Sequence, residues 1–164
     1  MAILIVNDDG VNAVGINVLA ERISRDYETI IVAPDREQSS VWHAITLSTP
    51  LRIHYLGNDN NIKKYCINGT PADCVKLALK VILKGKPDLL ISGINHGYNL
   101  GVSLIYSGTV SAATEGTMLK IPSIAVSLGS TYKNVDFAPS AETAFVIGKK
   151  VLENGLPTRV FLKC

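Results

Sequence analysis

The sequence predicts an α/β fold: a mostly parallel sheet with helices packed on it and an inserted β-hairpin, in a single domain over residues 1–164. Three observations predict it. Residues 2–6 are a continuous apolar run rich in β-branched side chains, as expected of a strand buried on both faces. Short apolar runs of this kind then alternate with segments of helical periodicity. Residues 45–56 and 62–68 read as two strands around the turn Gly57-Asn58-Asp59-Asn60-Asn61, which makes a hairpin. At 164 residues, 47% hydrophobic and 18% charged, the chain is long and apolar enough for one packed core.

The elements follow in order. After the first strand comes a glycine-bearing loop. Ile16, Leu19, Ala20 and Ile23 then have the i, i+3, i+4, i+7 spacing of an amphipathic helix. Residues 29–33 are a second strand stopped by Pro34, completing a βαβ unit. Residues 36–44 are polar and irregular. Thr70-Pro71-Ala72-Asp73 opens a helix with an N-cap hydroxyl, proline in the first turn and an acid at N3. Its apolar stripe runs through Val75, Ala78, Leu79, Ile82 and Leu83, and Gly85 and Pro87 end it. Residues 88–92 form a strand, 93–108 a glycine-rich polar loop, 109–118 a helix and 121–128 a strand. Ala141, Ala144, Phe145, Gly148 and Leu152 line a last helix, before a short strand at 159–162.

Composition excludes several classes. Sixteen basic against 14 acidic residues leave a net charge of +2, too small to mark a nucleic-acid polymer or a membrane surface as partner. Cys66, Cys74 and Cys164 are odd in number and form no CxxC, which argues against a disulfide framework or zinc ribbon. The apolar start is too short for a signal core or a membrane span, so a cytoplasmic location is expected. Low charge with positive hydropathy points to subunit contacts.

Open parallel sheets bind ligands beyond the carboxyl ends of their strands. Three polar clusters fall there: Asn7-Asp8-Asp9-Gly10, Gln38-Ser39-Ser40 and Ser92-Gly93-Ile94-Asn95. Asp8 and Asp9 repel each other and lose solvation at a buried strand end, and a divalent cation relieves both costs. Oxygen ligands suit magnesium, manganese or calcium, and Ser39 and Asn95 supply neutral oxygens. The plainer alternative is that one aspartate caps the next helix or holds an Asx-turn.

Gly93, Gly97, Gly101 and Gly108 let backbone approach an anion closely, and Ser107-Gly108-Thr109 opens a helix whose N–H groups would seat a phosphate. Ser107 or Thr109 as a simple cap is the competing reading. No Walker loop and no GxGxxG after the first strand is present. Asp73 reads as a first-turn helix residue, Cys74 as core, His54 as structural and Lys63-Lys64 as solvated charge. His43 and His96 lie in the candidate loops and are possible substrate contacts. Tyr98 and Tyr106 are either base-stacking or packing residues.

A cation facing a phosphate-sized pocket is the equipment of phosphate ester hydrolysis. Asp8 and Asp9 are therefore the candidate catalytic residues, with Asp9 the one to orient an attacking water. No serine has an evident His-Asp relay, which disfavours a triad.

Six strings occur in order: Ile5-Val6-Asn7-Asp8-Asp9-Gly10, Ala33-Pro34-Asp35-Arg36, Gly69-Thr70-Pro71-Ala72-Asp73-Cys74, Ser92-Gly93-Ile94-Asn95, Asn99-Leu100-Gly101 and Tyr106-Ser107-Gly108-Thr109-Val110. Together they closely resemble the SurE (survival protein E) family of nucleotidases over roughly residues 3–128. The resemblance implies a Rossmann-like three-layer α/β/α fold and a metal-dependent phosphatase for nucleoside 5′- and 3′-monophosphates, with short polyphosphate a further substrate of some members. It implies one Mg2+ or Mn2+ per subunit on Asp8, Asp9, Ser39 and Asn95, substrate contacts at Asn95, Gly97, Ser107, Gly108 and Thr109, and a homodimer or homotetramer.

Two departures stand out. Small residues are usual where this chain has Ser40 and Trp42; a tryptophan there would narrow the pocket, reshape the loop or stack on a base. Family chains also usually continue past residue 164 with a part that completes the sheet and swaps between subunits, so a C-terminally short form is expected. A non-catalytic binding form is one alternative. A receiver-like phosphoacceptor module is another, although it needs an aspartate where Asn95 stands.

Overall fold

A computed structural model describes residues 1–38, 42–130, 132 and 134–164. Seven strands form one sheet: β1 (Ala2–Val6), β2 (Glu28–Pro34), β3 (Ile53–Asp59), β4 (Ile62–Ile67), β5 (Leu89–His96), β6 (Ser123–Leu128) and β7 (Leu162–Lys163). Their order is β3-β4-β2-β1-β5-β6-β7. All neighbours are parallel except β3 and β4. Leaving out β3, the parallel strands lie in the doubly wound order third, second, first, fourth, fifth, sixth. The order reverses between β1 and β5, and there the crevice opens.

Strand alternation builds two cores, one on each face. Ile3 and Ile5 of β1 point to the layer of α1 (Val14–Ile23) and α5 (Ala138–Asn154), with Ile31, Leu89, Ile91 and Ile124. Leu4 and Val6 point the other way, with Ile30, Val32 and Leu90, onto α2 (Pro71–Leu77) and α4 (Gly108–Met118). Both faces of the central strands are thus dry, which explains their unbroken apolar runs. The three-layer expectation holds.

Local chemistry sets the boundaries. Thr70 and Asp73 form a full capping box on α2, with Pro71 in its first turn. Beyond Leu77 the helix continues as a π-helical segment, Ala78–Ile82. The hairpin is present, and its second strand, β4, is also the third strand of the parallel order. Its turn is tighter than predicted: Asn60 and Asn61 take φ of 47° and 65°, the pattern of a two-residue hairpin turn that asparagine tolerates. Gly57 lies within β3 at a register shift, and residues 45–52 lie outside the strand. β5 runs four residues beyond its predicted end, to His96. Gly93 makes that extension possible: its φ is +136°, and a Cβ there would collide with the Val126 carbonyl of β6, whose register shifts between Ser92 and Asn95. A one-turn helix, α3 (Ser103–Tyr106), interrupts the loop before α4.

Candidate functional site

The site starts at the end of β1. Asn7 is fully buried and donates from Nδ2 to the Gly10 carbonyl at 2.9 Å, tightening the turn that carries the two aspartates. Two backbone bonds strap this turn to the chain after β2: Val11 N–H donates to the Pro34 carbonyl at 2.8 Å, and Gln38 N–H to the Asp8 carbonyl at 2.7 Å. Gln38, the first residue of the second cluster predicted for the rim, is thereby brought to the first cluster. Ser39 itself, the predicted neutral ligand, lies outside the described residues.

Asp8 is 5% exposed and faces the start of α4. Thr109 Oγ1 donates to its Oδ1 at 2.6 Å. A Cβ at Gly108 would sit 2.6 Å from Asp8 Cβ and 2.8 Å from its Oδ2, so only glycine lets the helix start close over the carboxylate. Ser107 caps α4 by accepting from Val110 N–H at 3.2 Å. The three residues predicted to seat phosphate thus build the wall around Asp8, and the Ser107 and Thr109 hydroxyls already have partners.

Asp9 is less buried and accepts from His96 N–H at 3.3 Å, linking β1 to the end of β5. Asn95 is next to it in the chain. Its Nδ2 donates to the Gly97 carbonyl at 3.1 Å, which commits the amide nitrogen and leaves the oxygen for a cation. Gly97 holds φ of +128° and donates to the Leu128 carbonyl at 3.0 Å.

Electrostatics separate this pair from ordinary surface aspartates. Burial pushes the Asp8 carboxyl up, partly opposed by the Thr109 hydrogen bond. Burial, and then the charge of Asp8, push Asp9 up to about 6, while the His96 N–H opposes. Among the described residues no lysine or arginine forms an ion pair with either carboxylate. Nor do three or more His, Cys, Asp or Glu side chains gather anywhere among them as a metal cluster. Among the described residues, the candidate donors are therefore the Asp8 and Asp9 carboxylates and the Asn95 amide oxygen. These candidates include no nitrogen or sulfur, which suits a hard divalent cation rather than zinc. The unpartnered buried Oδ1 of Asn7, next to Asp8 in the chain, shows the same excess of acceptors over donors.

Sequence reasoning missed the supports of this rim. Glu115, on α4, is 3% exposed and holds both His43 Nε2 and Lys76 Nζ at 2.8 Å. As a lone acid in a helix of small residues it was the visible signal. Asp73 does more than cap α2: its Oδ2 accepts from Thr46 Oγ1 at 2.6 Å. Thr70 Oγ1 donates to the Ala44 carbonyl at 2.7 Å. Residues 43–46 are thus fixed to α2 and α4. The His43 ring is engaged by Glu115, and the His96 ring stands edge-on to Phe137 at 5.9 Å. Cys74 is fully buried, as expected. Lys63 pairs with Glu28, and Lys64 donates to Asn17 Oδ1, so this pair is more than solvated charge.

The fold and site define a doubly wound α/β protein with an acidic, oxygen-lined site at its topological switch point. The family model of the Survival protein SurE matches residues 3–164. A 5′-nucleotidase SurE of Desulfatibacillum aliphaticivorans is 50% identical over 162 residues, covering 99% of this chain and 64% of that protein. Another, of Thermoanaerobacter sp. (strain X514), is 48% identical with the same coverage. The crystal structure of the SurE protein from Aquifex aeolicus superposes with a TM-score of 0.90 at 44% identity, covering 99% of this chain and 64% of that one. The chain belongs to the SurE family. It spans 64% of the length of these relatives.

Proposed function

We propose that this chain forms the catalytic site of a divalent-cation-dependent phosphatase that releases phosphate from nucleoside 5′- and 3′-monophosphates and acts also on short polyphosphate. The observation that carries this reading is the pair Asp8, buried, and Asp9, half-buried, which stand together at the switch point without a cationic partner among the described residues. Both carboxyls are pushed up by that desolvation, and Asp9 also by the charge of Asp8. The printed names of the relatives, 5′-nucleotidase, support the nucleotide part.

Asp8, Asp9, Asn95 and Ser39 would hold one Mg2+ or Mn2+. When bound, the cation supplies the charge that neutralises the two carboxylates and draws electron density from a phosphoryl oxygen. The chain's own residues do the rest. Thr109 fixes the Asp8 carboxylate in one orientation through its hydroxyl. Asp9, held by His96 N–H, orients the attacking water and takes its proton on a carboxylate oxygen. The glycines at 97 and 108 let backbone close around the phosphate.

The same reading assigns a homodimer or homotetramer in the cytoplasm, with no nucleic-acid polymer or membrane as partner. Exposed Leu100, Val102 and Ile105 support assembly. Among the described residues no helix is long and apolar enough to cross a membrane.

The test is phosphate release from a panel of 5′- and 3′-nucleoside monophosphates, with Mn2+ or Mg2+, with chelator, and with Asp9→Asn. Release that needs the cation and falls at least a hundredfold in the variant is the expected result. Nucleotide binding with no release from any substrate would replace this reading with the non-catalytic binding form.

A further inference from the structure

We propose that Trp42 and Tyr106 form an aromatic platform at the mouth of the switch-point site, on which the base of a nucleoside monophosphate stacks. The inference rests on the phosphatase reading and names how that site selects its substrate.

Trp42 is held in an unusual state. Its φ is +57°, a left-handed conformation that a bulky side chain rarely adopts and that the surrounding structure must impose. Yet its ring is not spent on the core, since the residue is 52% exposed. It meets Tyr106, itself 39% exposed, with ring centroids 4.4 Å apart and planes at 80°. In an edge-to-face pair, the ring that presents its edge has neither face covered by its partner. An open aromatic face is therefore available.

The platform is both fixed and close. The residue after Trp42, His43, is bonded to buried Glu115, Ala44 to Thr70, and Thr46 to Asp73. These three links anchor the tryptophan from α2 and α4. Tyr106 immediately precedes Ser107 and Gly108, and the Gly108 backbone touches Asp8. Two Cα steps of about 3.8 Å keep Tyr106 within roughly 8 Å of that contact. A nucleotide with its phosphate at Asp8 and Asp9 would bring its base within reach of the rings. Base–aromatic stacking tolerates any base, so the platform selects for a base and not among bases.

Trp42 is the only tryptophan in the chain, so its emission reports the platform directly. The experiment has two arms, each run with Mn2+ on adenosine 5′-monophosphate and on ribose 5-phosphate, which lacks the base. In the first arm, adenosine monophosphate quenches the emission of the unmodified chain and ribose 5-phosphate does not. In the second, Trp42→Gly, which suits a left-handed backbone, raises KM for adenosine monophosphate about tenfold and changes kcat/KM for ribose 5-phosphate less than twofold. Trp42→Phe recovers most of the lost affinity. Emission unchanged by the nucleotide, or an equal shift for both substrates, overturns the platform. Quenching by the nucleotide with no phosphate released from either substrate upholds the platform and overturns the phosphatase reading alone.

Discussion

At the residue scale, the site depends on how Asp8 and Asp9 are kept. The Thr109 hydroxyl is the one side-chain donor on Asp8 among the described residues. Thr109→Val keeps the shape and removes the donor. It should cost about 1–3 kcal/mol in urea unfolding, because a buried carboxylate loses a charge-assisted bond. It should also weaken Mn2+ binding about tenfold, since a ligand loses its orienting partner. Asp9 gives a pH signature. Its folded pKa of about 6 lies above the ordinary 3.8. The folded, cation-free chain therefore binds the proton more tightly than the unfolded chain does. The stabilisation from that proton is full below about pH 4 and is lost as pH rises through about 6, a loss of roughly 2–3 kcal/mol. Urea unfolding in chelator at pH 4.5 and 7.5 should show it, and Asp9→Asn should remove most of it. A cation competes with the same proton, so Mn2+ affinity should rise across this window.

At the element scale, the site depends on α4 starting against β1 and on the chain before β3 being tied to α2. Gly108→Ala would drive a methyl group into Asp8 and should cost about 1–3 kcal/mol while abolishing cation binding. Asp73→Ala removes both the capping box and the Thr46 anchor, and a loss of about 2–3 kcal/mol in thermal or urea unfolding is expected. The elements built from local signals were legible in the sequence: β1 from its apolar run, α1 from its spacing, α2 from Thr70-Pro71-Ala72-Asp73. Those set by tertiary contact were not. β5 continues past Ser92 because β6 pairs with it across the Gly93 irregularity, and residues 88–96 alone carry no sign of that partner. The α3 turn inside the glycine-rich loop left no periodicity to read.

At the scale of the whole molecule, the sequence held the convergence of the rim but not its internal bonding. Strand-end position alone selected Asp8, Asp9 and Asn95, and the doubly wound order brings those strand ends together at the β1–β5 crevice. Thr109 was legible as a helix-start residue and candidate phosphate contact, but not as the partner of Asp8. Its contact with Asp8 spans 101 residues of chain and exists only once the sheet is assembled. Glu115 escaped because its partners, His43 and Lys76, come from two other segments. The central claim, that the switch-point carboxylates form one divalent-cation site, is tested most directly by calorimetric titration of Mn2+ into the chelator-stripped chain and into Asp9→Asn. About one Mn2+ should bind per chain, and that binding should be lost in the variant. Equal binding by both, or none by the unmodified chain in its folded state, would contradict it.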